Sequence, residues 1–252
     1  MSISNTLNNG SKSIYDFFPK NKKQLQKIIQ NQIKKYGNEC NLNNIDTSKI
    51  TNMSKLFYQS EFNGDISNWN VSNVTDMSSM FSYSKFNGNI SNWNVGNVKR
   101  MNYMFSNSKF DQDIGDWGVS NVVTMDSMFS HSKFNQDISK WNVGNVTNMD
   151  SMFKFSYFNQ DISKWDVSNV TNIGYMFADS DFNNDISNWN VNNVKFMSYL
   201  FYSSKFNQDI SKWFNKLNKK CILLNFGKLN NVKINSYEDF KQYHRKMILS
   251  KI

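Results

Sequence analysis

The chain has 252 residues, a formal net charge of +9 and 15% aromatic side chains, among them seven Trp and twenty-one Phe. That aromatic content excludes a disordered tract despite the abundance of Asn, Ser and Lys, and a single Pro with ten Gly excludes long Pro/Gly linkers. No stretch approaches the ~20 consecutive apolar residues of a spanning helix, so no membrane span is expected.

Residues 1–18 (MSISNTLNNGSKSIYDFF) read as a flexible N-terminal segment. The segment lacks a basic start, an apolar h-region and a small-residue cleavage site, so it does not read as a signal peptide and cytoplasmic residence is the expectation. Residues 19–41 read as a basic helical cap. Leu25, Ile28, Ile29, Ile33 and Tyr36 recur at helical spacing, with Asn21 as N-cap and Gly37 as the stop.

Residues 42–213 form a repeat array, a partial first coil followed by seven units of 24 residues. Trp69, Trp93, Trp117, Trp141, Trp165, Trp189 and Trp213 are separated by that one step, and two Phe columns, one Ile column and two Val columns keep it. A unit this small cannot bury its apolar face alone, so neighbours must stack. In the unit beginning at Phe134, Ile138, Trp141 and Val143 have the LxxLxL spacing of a leucine-rich repeat, which predicts a short strand. Met149, Met152 and Phe153 follow at offsets that predict a short helix. The expected fold is therefore an α/β repeat solenoid, leucine-rich-repeat-like, with one short parallel strand and one short helix per coil and helical caps at both ends. Leu42–Asn52 aligns with Ile66–Asp76 as a worn first coil, with Ile45 in the Trp position.

Residues 214–252 read as a basic C-terminal cap made of a strand, Cys221–Phe226, and a helix opened by a Ser236/Asp239 capping box. The ends carry the positive charge, +5 over 1–41 and +7 over 214–252, against −3 for 42–213. Cys40 and Cys221 flank the array, roughly 30 Å apart if coils advance ~4.8 Å each. That is too far for a disulfide, and two lone thiols fit a reducing compartment.

The search for chemistry gives ladders instead of a catalytic set. Asp65, Asp113, Asp137, Asp161, Asp185 and Asp209 share one repeat position with Asn89. Cation binding there competes with acceptance of backbone N–H bonds at a corner, and the second is expected because Asn89 serves equally. Asn73 and its equivalents read as corner amides. Two His, no repeated Cys or acid partner beside them and no phosphate-binding Gly-rich loop imply no catalytic residues, no metal and no cofactor. The candidate binding surface has two parts. One is the outward strand positions Asn70, Asn94, Asn142, Asp166 and Asn190. The other is the variable corners after the first Phe, carrying Lys85, Lys109, Lys133 and Lys205.

The words FNQDIS (134–139, 158–163, 206–211), WDVSNVTN (165–172) and NVTNM (145–149), with PKNKKQLQKII (19–29) ahead of them, carry a resemblance. Over about residues 19–213 the chain resembles a bacterial surface-protein repeat first catalogued in Mycoplasma as a domain of unknown function, often called BspA-like or leucine-rich-repeat surface protein. The resemblance implies a leucine-rich-repeat-like fold and a surface or secreted location in place of the cytoplasm; it brings no catalytic residues. The function expected is a non-catalytic protein–protein interaction scaffold. The alternatives are a surface adhesin for a host protein or glycan, and anion or nucleic-acid binding through the basic caps. The array lacks the continuous basic stripe of a nucleic-acid groove.

Overall fold

The computed structural model describes residues 13–218, 220–229 and 232–250, and the first two-thirds of the expected N-terminal segment lies outside them. Helix α1 spans Lys22–Tyr36, with the Asn21 side chain accepting from Gln24 N–H. It ends at Gly37, whose φ of 87° is a left-handed conformation that Gly adopts without steric cost. Leu25 and Ile29 point from α1 into the core. Residues 16 and 17 lie against the first coil, where both backbone N–H groups donate to the Asn44 carbonyl and Asp46 N–H donates to the Phe17 carbonyl.

From Leu42 onward the chain winds in stacked 24-residue coils. Parallel single-residue bridges join Asn52 to Asp76, Arg100, Thr124, Asn148, Asn172 and Phe196 in succession. The expected α/β solenoid is not what forms. Among the described residues the array has neither a β-strand at the Trp141–Val143 position nor an α-helix at Met149–Phe153, and the only paired strands are an antiparallel hairpin near the C-terminus.

The hydrogen bonds explain the difference. Across residues 77–84, Met77, Ser79, Phe81 and Tyr83 donate their N–H groups to the carbonyls of Arg100, Asn102, Met104 and Ser106 in the next coil. The alternate N–H groups, of Met80, Ser82 and Ser84, close tight turns onto Met77, Ser79 and Phe81. An α-helix would direct every N–H to the residue four earlier, and a strand would leave none for local turns. Instead the backbone alternates between the two kinds of bond. Two residues per coil, such as Ser79 (φ 56°) and Tyr83 (φ 57°), take the left-handed conformation that an α-helix forbids. The apolar offsets read as helical are met equally well by these successive turns.

The core is a set of columns. The first Phe column stacks at ring-centroid distances of 5.5–5.9 Å. The second stacks at 6.2–6.4 Å, with the Val, Ile and Met columns buried beside them. Each aromatic pair adds about 0.5–1.5 kcal/mol beyond its burial, and a repeat makes the same pairs at every step.

After Trp213, in a 3₁₀ turn over Ser211–Asn215, the step changes: Phe196 bridges to Ile222 and Phe201 to Gly227, two residues beyond the regular spacing. The expected strand Cys221–Phe226 is reduced to the bridge at Ile222. Strand β1 instead spans Gly227–Leu229 and pairs antiparallel with β2, Val232–Ile234. Gly227 has φ 138°, and a Cβ there would meet the Phe201 carbonyl at 2.6 Å, so no other residue fits without a backbone shift. Helix α2, Tyr237–Leu249, is capped by Ser236, which accepts from Asp239 N–H, while the Asp239 carboxylate accepts from Asn235 N–H. Phe240 and Tyr243 bury α2 against the last coil. No helix among the described residues is long and apolar enough to cross a membrane.

Candidate functional site

Most of the residues singled out from the sequence serve the coil itself. In the Trp column each indole Nε1–H donates to a main-chain carbonyl of the preceding coil, from Trp69 to Leu42 through Trp213 to Ile186, at 3.0–3.2 Å. Asp65, Asp113, Asp137, Asp161, Asp185 and Asp209 each accept the backbone N–H two residues on, at 2.8–2.9 Å, and Asn89 does the same for Ser91. Bonds from Ser139 and Ser163 hold the carboxyls of Asp137 and Asp161 below the usual carboxylate range. Among the described residues no group of three or more His, Cys, Asp or Glu could hold a metal ion.

The outward positions Asn70, Asn94, Asn142, Asp166 and Asn190 are exposed, but each turns a side-chain oxygen onto the backbone N–H two residues later. Their acceptors close a local turn. Of the corner lysines, Lys85 pairs with Glu61, and Lys205 pairs with Asp181 at 2.8 Å. Lys109 and Lys133 stand exposed in consecutive coils beside Lys85. Cys40 and Cys221 are both free, and burial pushes the Cys221 thiol up to about 12.

A different surface stands out in the structure. The left-handed turns of residues 77–84 and their equivalents make one long face of the stack. Exposed tyrosines already stud it in the early coils, at Tyr58, Tyr83 and Tyr103, and toward the C-terminus the rings gather around one lysine. Phe155 and Tyr202 are 44% and 49% exposed, and Phe196, Ile222 and Leu224 are exposed beside them. Tyr175 and Tyr199 stack at 4.6 Å with an interplanar angle of 4°, and Tyr202 meets Tyr199 edge-on at 5.6 Å. The Lys154 ammonium lies 4.5 Å from the Tyr175 ring centre and 5.4 Å from that of Phe155. On its other side Phe155 contacts His131 at 4.5 Å. Burial, then the Lys154 charge, hold the His131 imidazole below its ordinary value. Burial, then Tyr199 and Asp150, push the Tyr175 hydroxyl up.

Phe155 and Tyr202 fall in corners read as variable, but Tyr175 and Tyr199 do not. The available signal was the recurrence of rings in these columns, Tyr58 with Tyr202, Tyr83 with Phe155, and Tyr103 with Tyr175 and Tyr199. At the end of this face lies a cleft of about 710 Å³ whose wall includes Tyr199, Tyr202, Asn225, Lys228, Lys233 and Asn235.

A family model described as "Mycoplasma protein of unknown function, DUF285" matches residues 23–139, 106–180 and 131–237, and these overlapping matches place the chain in that family. No curated protein and no solved structure matches it.

Proposed function

We propose, for a chain that belongs to the Mycoplasma family of unknown function DUF285, a non-catalytic role: a protein-binding module whose partner docks on the aromatic end of the turn face. The observation that carries this reading is the run Phe155, Tyr175, Tyr199 and Tyr202, bordered by Phe196, Ile222 and Leu224 and centred on Lys154. Contiguous exposed apolar surface of this kind is uncommon on a protein that works alone. Aromatic rings beside a cation are the side chains that dominate interface energetics. The early coils expose Tyr58, Tyr83 and Tyr103 on the same face, but without the stacked pair and the shared lysine of the C-terminal end.

This reading moves the binding surface from the Asn70 and Lys85 columns to the turn face. It is compatible with the BspA-like surface role that the repeat words imply, which would place the module outside the cell.

The test is partner capture from the source cell with the full chain, using Phe155→Ser/Tyr175→Ser beside Lys99→Ser as an exposed control. Loss of the same proteins from the first variant alone supports the turn face. Capture unchanged by Phe155→Ser/Tyr175→Ser overturns it.

A further inference from the structure

The cleft at the C-terminal end of the turn face arises where the repeat stops repeating. Tyr175 and Tyr199 occupy one column, and the next residue in it is Asn225, so the last coil supplies an amide where a third ring would stack. Asn225 donates through Nδ2 to the Tyr199 hydroxyl at 2.9 Å, which holds the ring at the cleft wall. Tyr175 covers one face of the Tyr199 ring, and Tyr202 stands across it at 67°. The result is an aromatic corner edged with hydroxyls and amides.

The opposite wall comes from the hairpin. Lys228 and Lys233 are direct cross-strand partners, both exposed and both on the cleft. Like charges facing across a strand pair are unfavourable. Among the described residues neither lysine forms an ion pair, although Lys85, Lys140, Lys205 and Lys241 do. The nearby carboxylate of Asp239 is engaged by Asn235 N–H at 2.9 Å. Asn235 also lines the cleft, and among the described residues its side-chain oxygen has no hydrogen-bond partner.

We propose that this cleft binds an acidic saccharide, a sugar unit carrying a carboxylate. The ring stacks in the Tyr199/Tyr202 corner, its hydroxyls bond to Asn225 and Asn235, and its carboxylate lies between Lys228 and Lys233. The volume of about 710 Å³ is that of a small-ligand site. A wall of hydroxyl, amide and ammonium groups around two tyrosine rings suits a polyhydroxylated ring better than an apolar peptide anchor. The site adjoins the surface proposed for a protein partner and shares Tyr199 and Tyr202 with it, while Phe155 lies outside the cleft.

The experiment is calorimetric titration of the full chain with a hexasaccharide of alternating glucuronate and N-acetylglucosamine. The neutral N-acetylglucosamine hexamer and a hexapeptide of alternating Glu and Tyr serve as comparators. Wild type is expected to bind the acidic sugar at least about tenfold more tightly than the neutral one, the scale of one hydrogen bond to a charged group. Lys228→Gln/Lys233→Gln, folded by circular dichroism, should abolish that preference, and Tyr202→Ala should weaken the acidic sugar further than it shifts the melting temperature. Three results overturn the proposal: no saturable binding of the acidic sugar, a preference that survives in the double lysine variant, or equal binding of the acidic peptide. Phe155→Ser, whose ring contacts His131 and Lys154 and not the cleft, should titrate like wild type while weakening partner capture, so a failure here and a failure of the protein-docking reading are told apart.

Discussion

The indole Nε1–H of Trp141 donates to the carbonyl of Ile114 at 3.0 Å, tying each coil to the one before it from inside the core. Both groups are buried. Trp141→Phe keeps a ring in the column but leaves the carbonyl without its donor. The expected loss is about 1–3 kcal/mol for the unsatisfied acceptor, plus the smaller ring's packing deficit. Urea unfolding followed by circular dichroism measures it, and a loss below 0.5 kcal/mol would deny the bond its role.

Asp150 and Asp126 occupy the same column in adjacent coils. Burial, then the Asp126 charge, push the Asp150 carboxyl up, against a bond from the Ser151 hydroxyl at 2.9 Å. A carboxyl raised in the folded state costs stability once pH exceeds its unfolded value of about 3.9. Asp150→Asn is therefore expected to raise the melting temperature at pH 7. The advantage should shrink as pH falls toward 4, which thermal melts across that range would show.

Asp76 behaves in the opposite sense. Asp76 is buried, 7% exposed as a residue, and burial alone would raise its pKa. Bonds from Ser78 and from Arg100, the latter at 2.9 Å, outweigh that and hold it below the usual range. Its contribution is complete above the unfolded value of about 3.9 and disappears as pH falls through the lower folded value. Asp76→Asn should lower the melting temperature at neutral pH and converge with wild type in acid. A gap independent of pH would contradict the assignment.

Ser79 sits at φ 56°. The left-handed conformation costs a residue with a Cβ roughly 1–2 kcal/mol, so Ser79→Gly should be neutral or stabilising despite the added freedom of the unfolded chain. Ser79→Val should destabilise by more than 1 kcal/mol, since a β-branched residue fits this region worst. Equal effects from both substitutions would rule out the turn conformation.

The period, the buried columns, the cap of α1 at Asn21 and that of α2 at Ser236 are all legible in the sequence, because burial and capping leave residue-type signatures. The path of the chain between columns is not. Met149, Met152 and Phe153 have the same offsets on a helix and on successive turns, and the left-handed positions of the array carry polar or aromatic residues, from Lys55 and Gln59 to Phe155 and Asp179, instead of the Gly that would have flagged them. The cleft was hidden for another reason. It depends on a two-residue change of step between Phe196 and Ile222, and on Lys228 meeting Lys233 across a hairpin, neither of which repeats.

The alternation of bonds along the turn face has an electrical consequence. In an ordinary sheet the peptide dipoles of successive residues largely cancel. Here Met77, Ser79, Phe81 and Tyr83 all aim N–H toward the next coil, and the carbonyls that receive them aim back. Their equivalents in every later coil do the same, so the face is polarised along the stack much as a helix is along its axis, with the N–H end at the C-terminal coil. Thr75, Lys85 and their equivalents donate the opposite way, to the preceding coil, and offset part of that polarity, so its N–H end is confined to the turn face of the last coils.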